Sequence, residues 1–541
     1  MKKYLAIFVV LLLACSLLSF AACTKDEFAE YRKEEGFSYY REMTMNEGKQ
    51  LLVFNRSEKL NAQQRILAEA IQGIFARTDA RYYMYGGGNY QIWLQDMVDN
   101  YGFTATDVTL QDMVESFKAN YGNKFVLYDG TNNAESLNCA CTVAGAKDYL
   151  PVDVSLKTWA EEQGLEQAED VTKMTEAQCF RKYKDLLNND GIVQINNANF
   201  NDQMRDYGIA CKFLFMWPKQ MEDPDVMKYR AEAYEWAKDD SPIFGWVPND
   251  EAIDVAIASN YGLFTIASDY CTNMSVFTCK KAFGELTFTQ KEKTTDIKAE
   301  QGKHYVCIMM SDGDNVQTWY NSFATNPKYL AAERGDFPMG WSIQPSLYNL
   351  GPNILNYVYS NSKPKDYYVC SVSGQGYVNP QNFPALDGFI GGLEAYLGYT
   401  DLSVVQILDA GPSQTVMDAY SKVPSLKGGI YCYGMKYAEG AGSVYWSNDK
   451  PFVCIRETLW NANVEKMAER INGYSTNPND IRGYTAINLH PWSMDYSDVK
   501  RLVSLLDDHV EVITADDFIR LITENVPHTD VTLEYVDYSN L

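Results

Sequence analysis

Two carboxylates and a carboxamide, Asp312, Asp314 and Asn315, follow directly on an apolar run at 306–310. A strand buried on both faces reads as a near-continuous hydrophobic run, and it admits polar side chains only where it emerges at its carboxyl end. Side chains at such ends line clefts. Paired carboxyl groups in a cleft suit hydrolysis of a glycosidic bond, which needs one group kept protonated and one ionised as nucleophile or base. Asp-Gly-Asp-Asn is equally ordinary turn and helix-capping chemistry, because Asp and Asn accept backbone N–H bonds and Gly tolerates positive φ. The string therefore gains weight only from what accompanies it.

Other strand-like runs end on polar groups as well: Gln344, Tyr377 after a loop, Asp409, Tyr433, Glu457 and His490. Asp312 and Asp314, two positions apart, are candidates for nucleophile, base or sugar anchor. Asp409 and Glu457 come from separate strands, with Glu457 the candidate acid, and His490 with Tyr377 would position hydroxyls. Trp341, Trp460 and Trp492 stand near these ends; half of the large aromatics are expected in core packing and the rest stacked on sugar faces. With Asn315, Gln344 and Tyr433 they make the expected substrate-binding set. Gly374 and Gly376 join it because two glycines spaced by one residue allow a tight turn, close approach of a ligand, and aiming of Tyr377 into the cleft. An acidic cleft walled by aromatic faces is a carbohydrate-site composition, so the expected partner is an oligo- or polysaccharide.

These groups meet only if the elements behind them repeat. After residue 302 strand-like runs recur at 304–311, 339–344, 366–372, 403–409, 429–434, 451–457, 484–490 and 510–514, with helical patterns between most of them. Eight βα units predict an α/β fold with a (β/α)8-like, if distorted, barrel over 303–541, whose active site lies at the carboxyl ends of the strands. Before it, helical and strand patterns alternate over 56–288, an α/β amino-terminal domain. Gly86-Gly87-Gly88 lacks the helix of a dinucleotide fingerprint and reads as a loop. The polar, lysine-rich stretch 289–302 is the expected linker.

The motif Ser373-Gly374-Gln375-Gly376-Tyr377-Val378-Asn379-Pro380 matches the GxGYxYP signature, with Asn379 where the pattern has its second Tyr. The Ser311–Asn315 string, Gly340-Trp341-Ser342-Ile343-Gln344-Pro345 and Leu489-His490-Pro491-Trp492 likewise resemble the carboxyl-terminal domain of that family. Residues 60–279 are similar to its amino-terminal region. The resemblance implies a carbohydrate-active hydrolase, the family being assigned to glycoside hydrolysis, and it carries over no catalytic residue.

The first 22 residues read as a secretory signal, with Lys2 and Lys3 ahead of an apolar segment and Phe20-Ala21-Ala22-Cys23 like a bacterial lipoprotein processing box. Diacylated Cys23 would anchor the protein to a membrane, giving an exported, outer-membrane or cell-surface lipoprotein with 23–55 as tether and leading segment. A net charge of −24 repels phosphate backbones and argues against nucleic acid. The twelve cysteines are scattered, most of them in apolar runs where they suit buried small hydrophobes. With four histidines and no paired metal-ligand spacing, neither a metal nor another cofactor is expected. Two other functions fit: a metal-dependent deacetylase using Asp312, Asp314 and His490, and a non-catalytic glycan-capturing lipoprotein.

Overall fold

The computed structural model describes residues 37–536 except 292, 312, 326, 327 and 385. Asp312, the leader and Cys23 thus lie outside the described residues. Among those described, no helix is long and apolar enough to cross a membrane.

Three parallel sheets come first. Strands β1 (Gln50–Phe54), β2 (Tyr82–Met84) and β3 (Thr104–Asp107) pair in the order β2-β1-β3; β4 (Lys124–Tyr128), β5 (Leu150–Asp153) and β6 (Glu166–Asp170) pair as β5-β4-β6. The third sheet, β10-β9-β7-β8, contains β7 (Ile192–Gln194), β8 (Leu214–Met216), β9 (Ser241–Gly245) and β10 (Leu263–Ala267). Residues 50–54, expected in the leading segment, are therefore a central strand. Lys49 and Arg56 flank a run only four apolar residues long, Leu51–Phe54, and disguise it.

The carboxyl-terminal sheet has ten strands: β11 (His304–Met310), β12 (Met339–Ile343), β13 (Asp366–Cys370), β14 (Val404–Leu408), β15 (Gly428–Cys432), β16 (Val444–Ser447), β17 (Lys450–Cys454), β18 (Glu457–Leu459), β19 (Tyr484–Leu489) and β20 (Val510–Ile513). Their order is β16-β17-β15-β14-β13-β12-β11-β19-β18, with β20 also beside β11. All the pairings are parallel except β16 with β17, so the sheet is mixed and, among the described residues, its pairings do not make the expected eight-stranded ring. Two local features cause the departure. Asn448 and Asp449 both have positive φ, the turn that folds β16 back on β17 as a hairpin. Then the chain changes partner between neighbouring residues: Ile455 N–H donates to Tyr431 O, and Arg456 N–H to Ala486 O.

Burial follows the sequence pattern. Every residue of β11, His-Tyr-Val-Cys-Ile-Met-Met, is buried, as a strand covered on both faces requires. One apolar cluster runs through both halves of the chain, from Leu51 and Trp93 to Trp341 and Leu489. All ten cysteines among the described residues are buried. The stretch 289–302 is strapped to the carboxyl-terminal half: Gln290 bonds to Asp401 and Tyr368, and Thr295 to Asp517.

His304 opens β11 fully buried, with Nδ1 2.8 Å from Ser475 O and Nε2 3.0 Å from Thr485 Oγ1. The carbonyl can only accept, so Nδ1 carries the proton and Nε2 accepts from the threonine hydroxyl. Burial lowers its pKa from 6.5 to about 4. A base depressed in the folded state stabilises it above the unfolded value, and that contribution is lost as pH falls from 6.5 towards 4. The loss amounts to about 3 kcal/mol. His304→Gln, which keeps one donor and one acceptor, is expected to flatten the fall of stability between those pH values in denaturant titrations.

Candidate active site

The loop after β11 is clamped before it presents any side chain. Gly313 N–H donates to Ser342 Oγ (2.9 Å), while Gly313 O accepts from Gln344 N–H and Trp319 Nε1–H, each at 2.9 Å. A Cβ at Gly313 would stand 1.8 Å from Ser342 O, so only glycine permits this approach. Gln344 Nε2 adds a bond to Asp314 O at 3.3 Å. Asp314 is thereby held at the carboxyl end of β11 with a buried side chain, and Tyr377 Oη donates to its Oδ2 at 2.5 Å.

Tyr377 owes its position to the amino-terminal half. Its N–H donates to Thr265 O (2.8 Å) and its carbonyl accepts from Thr265 N–H (2.9 Å), a two-bond bridge onto β10. At Gly376 a Cβ would lie 2.4 Å from Phe264 Cδ2, so glycine lets the loop seat on that strand. Trp246, after β9, meets the Tyr377 ring edge to face at 5.1 Å. On the far side His490, just past β19, lies parallel to Trp460, just past β18, with ring centroids 3.9 Å apart and 2° between planes. Ser493 Oγ is 2.9 Å from His490 Nδ1.

These groups enclose a cavity of about 400 Å³ lined by Asp314, Asn315, Tyr377, Trp460, His490 and Trp492, all expected from sequence. Trp492 is 61% exposed, a flat apolar face at the rim. The wall also includes residues that sequence reasoning missed: Trp246 and Glu251 from the amino-terminal half, with Ser311, Gln317, Ser371, Gln406, Tyr437 and Asn488. Gln406 and Asn488 had a signal, each being a carboxamide inside an apolar strand. Trp246 and Glu251 had none, because they arrive from another sheet.

Seven expected residues lie elsewhere. Glu457 opens β18 instead of ending a strand; its carboxylate takes Arg470 Nε (3.0 Å), Arg470 Nη2 (2.6 Å) and Tyr474 Oη (2.6 Å) and faces a different cavity. Asp409 does follow β14, but Tyr431 Oη (2.7 Å) and Ala410 N–H (2.8 Å) hold its carboxylate, and burial keeps its pKa above the usual carboxylate value. Trp341 is core: Nε1–H donates to Asp366 (3.0 Å) and the ring meets Tyr329 at 4.9 Å. Gln344 is fully buried beneath Asp314. Tyr433 is half-buried against Tyr431, outside the cavity lining. Gly374 backs onto Phe389 and Leu393, and with Gly376 it shapes the docked loop without reaching the cavity.

Tyr377→Phe removes one donor to a carboxylate and leaves the backbone bridge intact. A hydrogen bond to a charged group is worth about 1.5–3 kcal/mol, so a loss of stability of about that size in denaturant titrations is expected, with the fold unchanged by circular dichroism.

Similarity to known proteins covers most of the chain. No curated protein matches it. Among solved structures, a crystal structure described as a "putative hydrolase" from Bacteroides thetaiotaomicron is similar in fold, with a TM-score of 0.80, 24% identity, and coverage of 91% of this chain and 97% of that one. Four family models match in succession: the GxGYxYP first domain over 50–119, second domain over 123–189, third domain over 190–279, and the "GxGYxYP putative glycoside hydrolase C-terminal domain" over 302–523. The last span holds Asp314, Tyr377, Trp460 and His490, and the third-domain span holds Trp246 and Glu251. The chain belongs to the GxGYxYP family.

Proposed function

We propose that the protein is a carbohydrate-active hydrolase that cleaves glycosidic bonds in the cavity between its two halves. One observation carries this reading. A buried carboxylate, Asp314, lines one cavity with the indoles of Trp246, Trp460 and Trp492, and a second carboxylate, Glu251, stands on the wall contributed by the amino-terminal half. Sugars need both features, flat faces for their C–H surfaces and carboxyl groups at the scissile bond. The description of the family's carboxyl-terminal domain supports the same class.

In this mechanism Asp314 acts ionised, because the phenol of Tyr377 donates to it and favours the charged form. Glu251 is the proton donor in place of Glu457, whose carboxylate is committed to Arg470. His490, fixed by its stacking on Trp460, and the amides of Asn315 and Asn488 orient hydroxyls. We further propose an exported protein acylated at Cys23. Incorporation of a palmitate analogue that disappears in Cys23→Ala tests that location.

Release of new reducing ends from a broad oligosaccharide panel tests the activity. Cleavage of at least one glycan that is lost in Glu251→Gln is the expected result. No cleavage by the wild-type chain, with glycan binding intact, would leave a capture protein.

A further inference from the structure

A second, larger cavity of about 560 Å³ lies beside the first and differs from it in charge. Lys436, Arg456, Lys466, Arg470 and Arg482 line it, against two carboxylates, Glu457 and Glu534. Five cations facing one cavity stand out in a chain whose net charge is −24. Part of that charge is compensated in place: Glu457 takes Arg470, and Asp480 takes Arg482. Among the described residues Lys436 Nζ donates to a carbonyl, Trp460 O at 3.0 Å, and neither Lys436 nor Lys466 forms an ion pair. Arg456 lies over Tyr474, with Cζ 3.6 Å from the ring centroid, and its Nη1 donates to Arg482 O (3.0 Å) and Tyr484 O (3.3 Å), which fixes the guanidinium charge at the cavity wall. A fixed cationic wall of this kind suits anionic groups such as a carboxylate or sulfate.

The two cavities share their partition. Tyr437 and Trp460 line the first, whereas the flanking Lys436 and Ala438, and Thr458 and Asn461, line the second. A ligand that reaches over the Trp460 edge would therefore pass from aromatic, carboxylate-bearing walls to cationic ones.

We propose that this second cavity is a binding subsite for acidic sugar residues, carrying carboxylate or sulfate, of the same polysaccharide that enters the first. The identification of the ligand as a polysaccharide rests on the hydrolase reading; the cationic site itself rests on its own lining.

Its test measures affinity and not turnover, so that failure of the hydrolase reading stays distinguishable. Full-length Asp314→Asn protein is titrated calorimetrically with trigalacturonate, with a sulfated heparin tetrasaccharide and with neutral maltotriose. Expected is binding of at least one acidic oligosaccharide that weakens about 10-fold or more as salt rises from 50 to 300 mM, since screening by salt acts on such contacts. Lys466→Glu with Arg482→Glu should weaken it about 10-fold or more again, because like charge now faces the ligand. Trigalacturonate against heparin fragment separates carboxylate from sulfate recognition. Equal affinity for maltotriose, no affinity for either acidic probe, or acidic binding indifferent to charge reversal would each overturn the proposal. Should the double variant unfold, Lys466→Gln alone reports on the same site, since Lys466 is exposed and bears no structural ion pair among the described residues.

Discussion

Asp314→Asn is expected to lower kcat by about 10²- to 10⁴-fold, the range that a positioned acid, base or nucleophile supplies. The carboxamide has nearly the size of the carboxylate and still accepts from Tyr377 Oη, so the loop clamped by Ser342, Gln344 and Trp319 has no reason to move. Only the charge and basicity are removed. Glu457→Gln is the matched control. It leaves Arg470 facing an amide in place of its ion-pair partner, which costs about 1–3 kcal/mol of stability, and leaves kcat unchanged on a saturating neutral oligosaccharide, which has no acidic residue for the second cavity to bind. Initial rates on a cleaved oligosaccharide, measured beside Tm for both variants, separate the two effects. Equal loss of rate in both would return Glu457 to the chemistry and would sink the assignment made from its position.

The largest expected effect on stability comes from Arg230→Met. Arg230 and Asp254 are both essentially inaccessible, with Nη1 to Oδ1 at 2.7 Å. Removal of one partner leaves a buried charge uncompensated and costs about 3–5 kcal/mol. In a domain of 150–250 residues each kcal/mol lowers Tm by about 2–4 °C. Asp254 has a second task. Its Oδ2 accepts from Asn249 N–H (2.9 Å) and Asn249 Nδ2 (3.2 Å), and so pins the loop that follows Trp246 to the helix that Glu251 opens (Glu251–Asn260), both of which contribute to the cavity wall. The variant should therefore raise KM at temperatures where it is still folded. Differential scanning fluorimetry and Michaelis curves at 20 °C check both effects, and an unchanged Tm would show that the pair contributes nothing.

The residues divide by how locally their placement is decided. The strands of the carboxyl-terminal half were legible because buried parallel strands announce themselves as apolar runs. Asp314, Trp460, His490 and Trp492 were legible because each follows such a run closely. Glu457 is misplaced for a reason that periodicity cannot express: residues 451–457 read as one strand ending at Glu457, yet the chain exchanges β15 for β19 at Ile455 and Arg456. That exchange moves the strand end to Leu459, with Trp460 beyond it at the cavity. The hairpin of β16 and β17 had a readable turn in Asn448-Asp449 and was overlooked within the βα beat. The glycines of the signature were understood as turn-formers, but what they approach is Phe264 of β10, a contact between segments far apart in the chain. Trp246 and Glu251 were illegible on the same ground, since only the docking of the third sheet brings them to the cavity.

The bridge between Tyr377 and Thr265 makes the first half of the polypeptide a working component of the second. Heat or mutation that loosens β10 would free the phenol from Asp314 while β11 to β19 are still paired. Inactivation would then run ahead of melting.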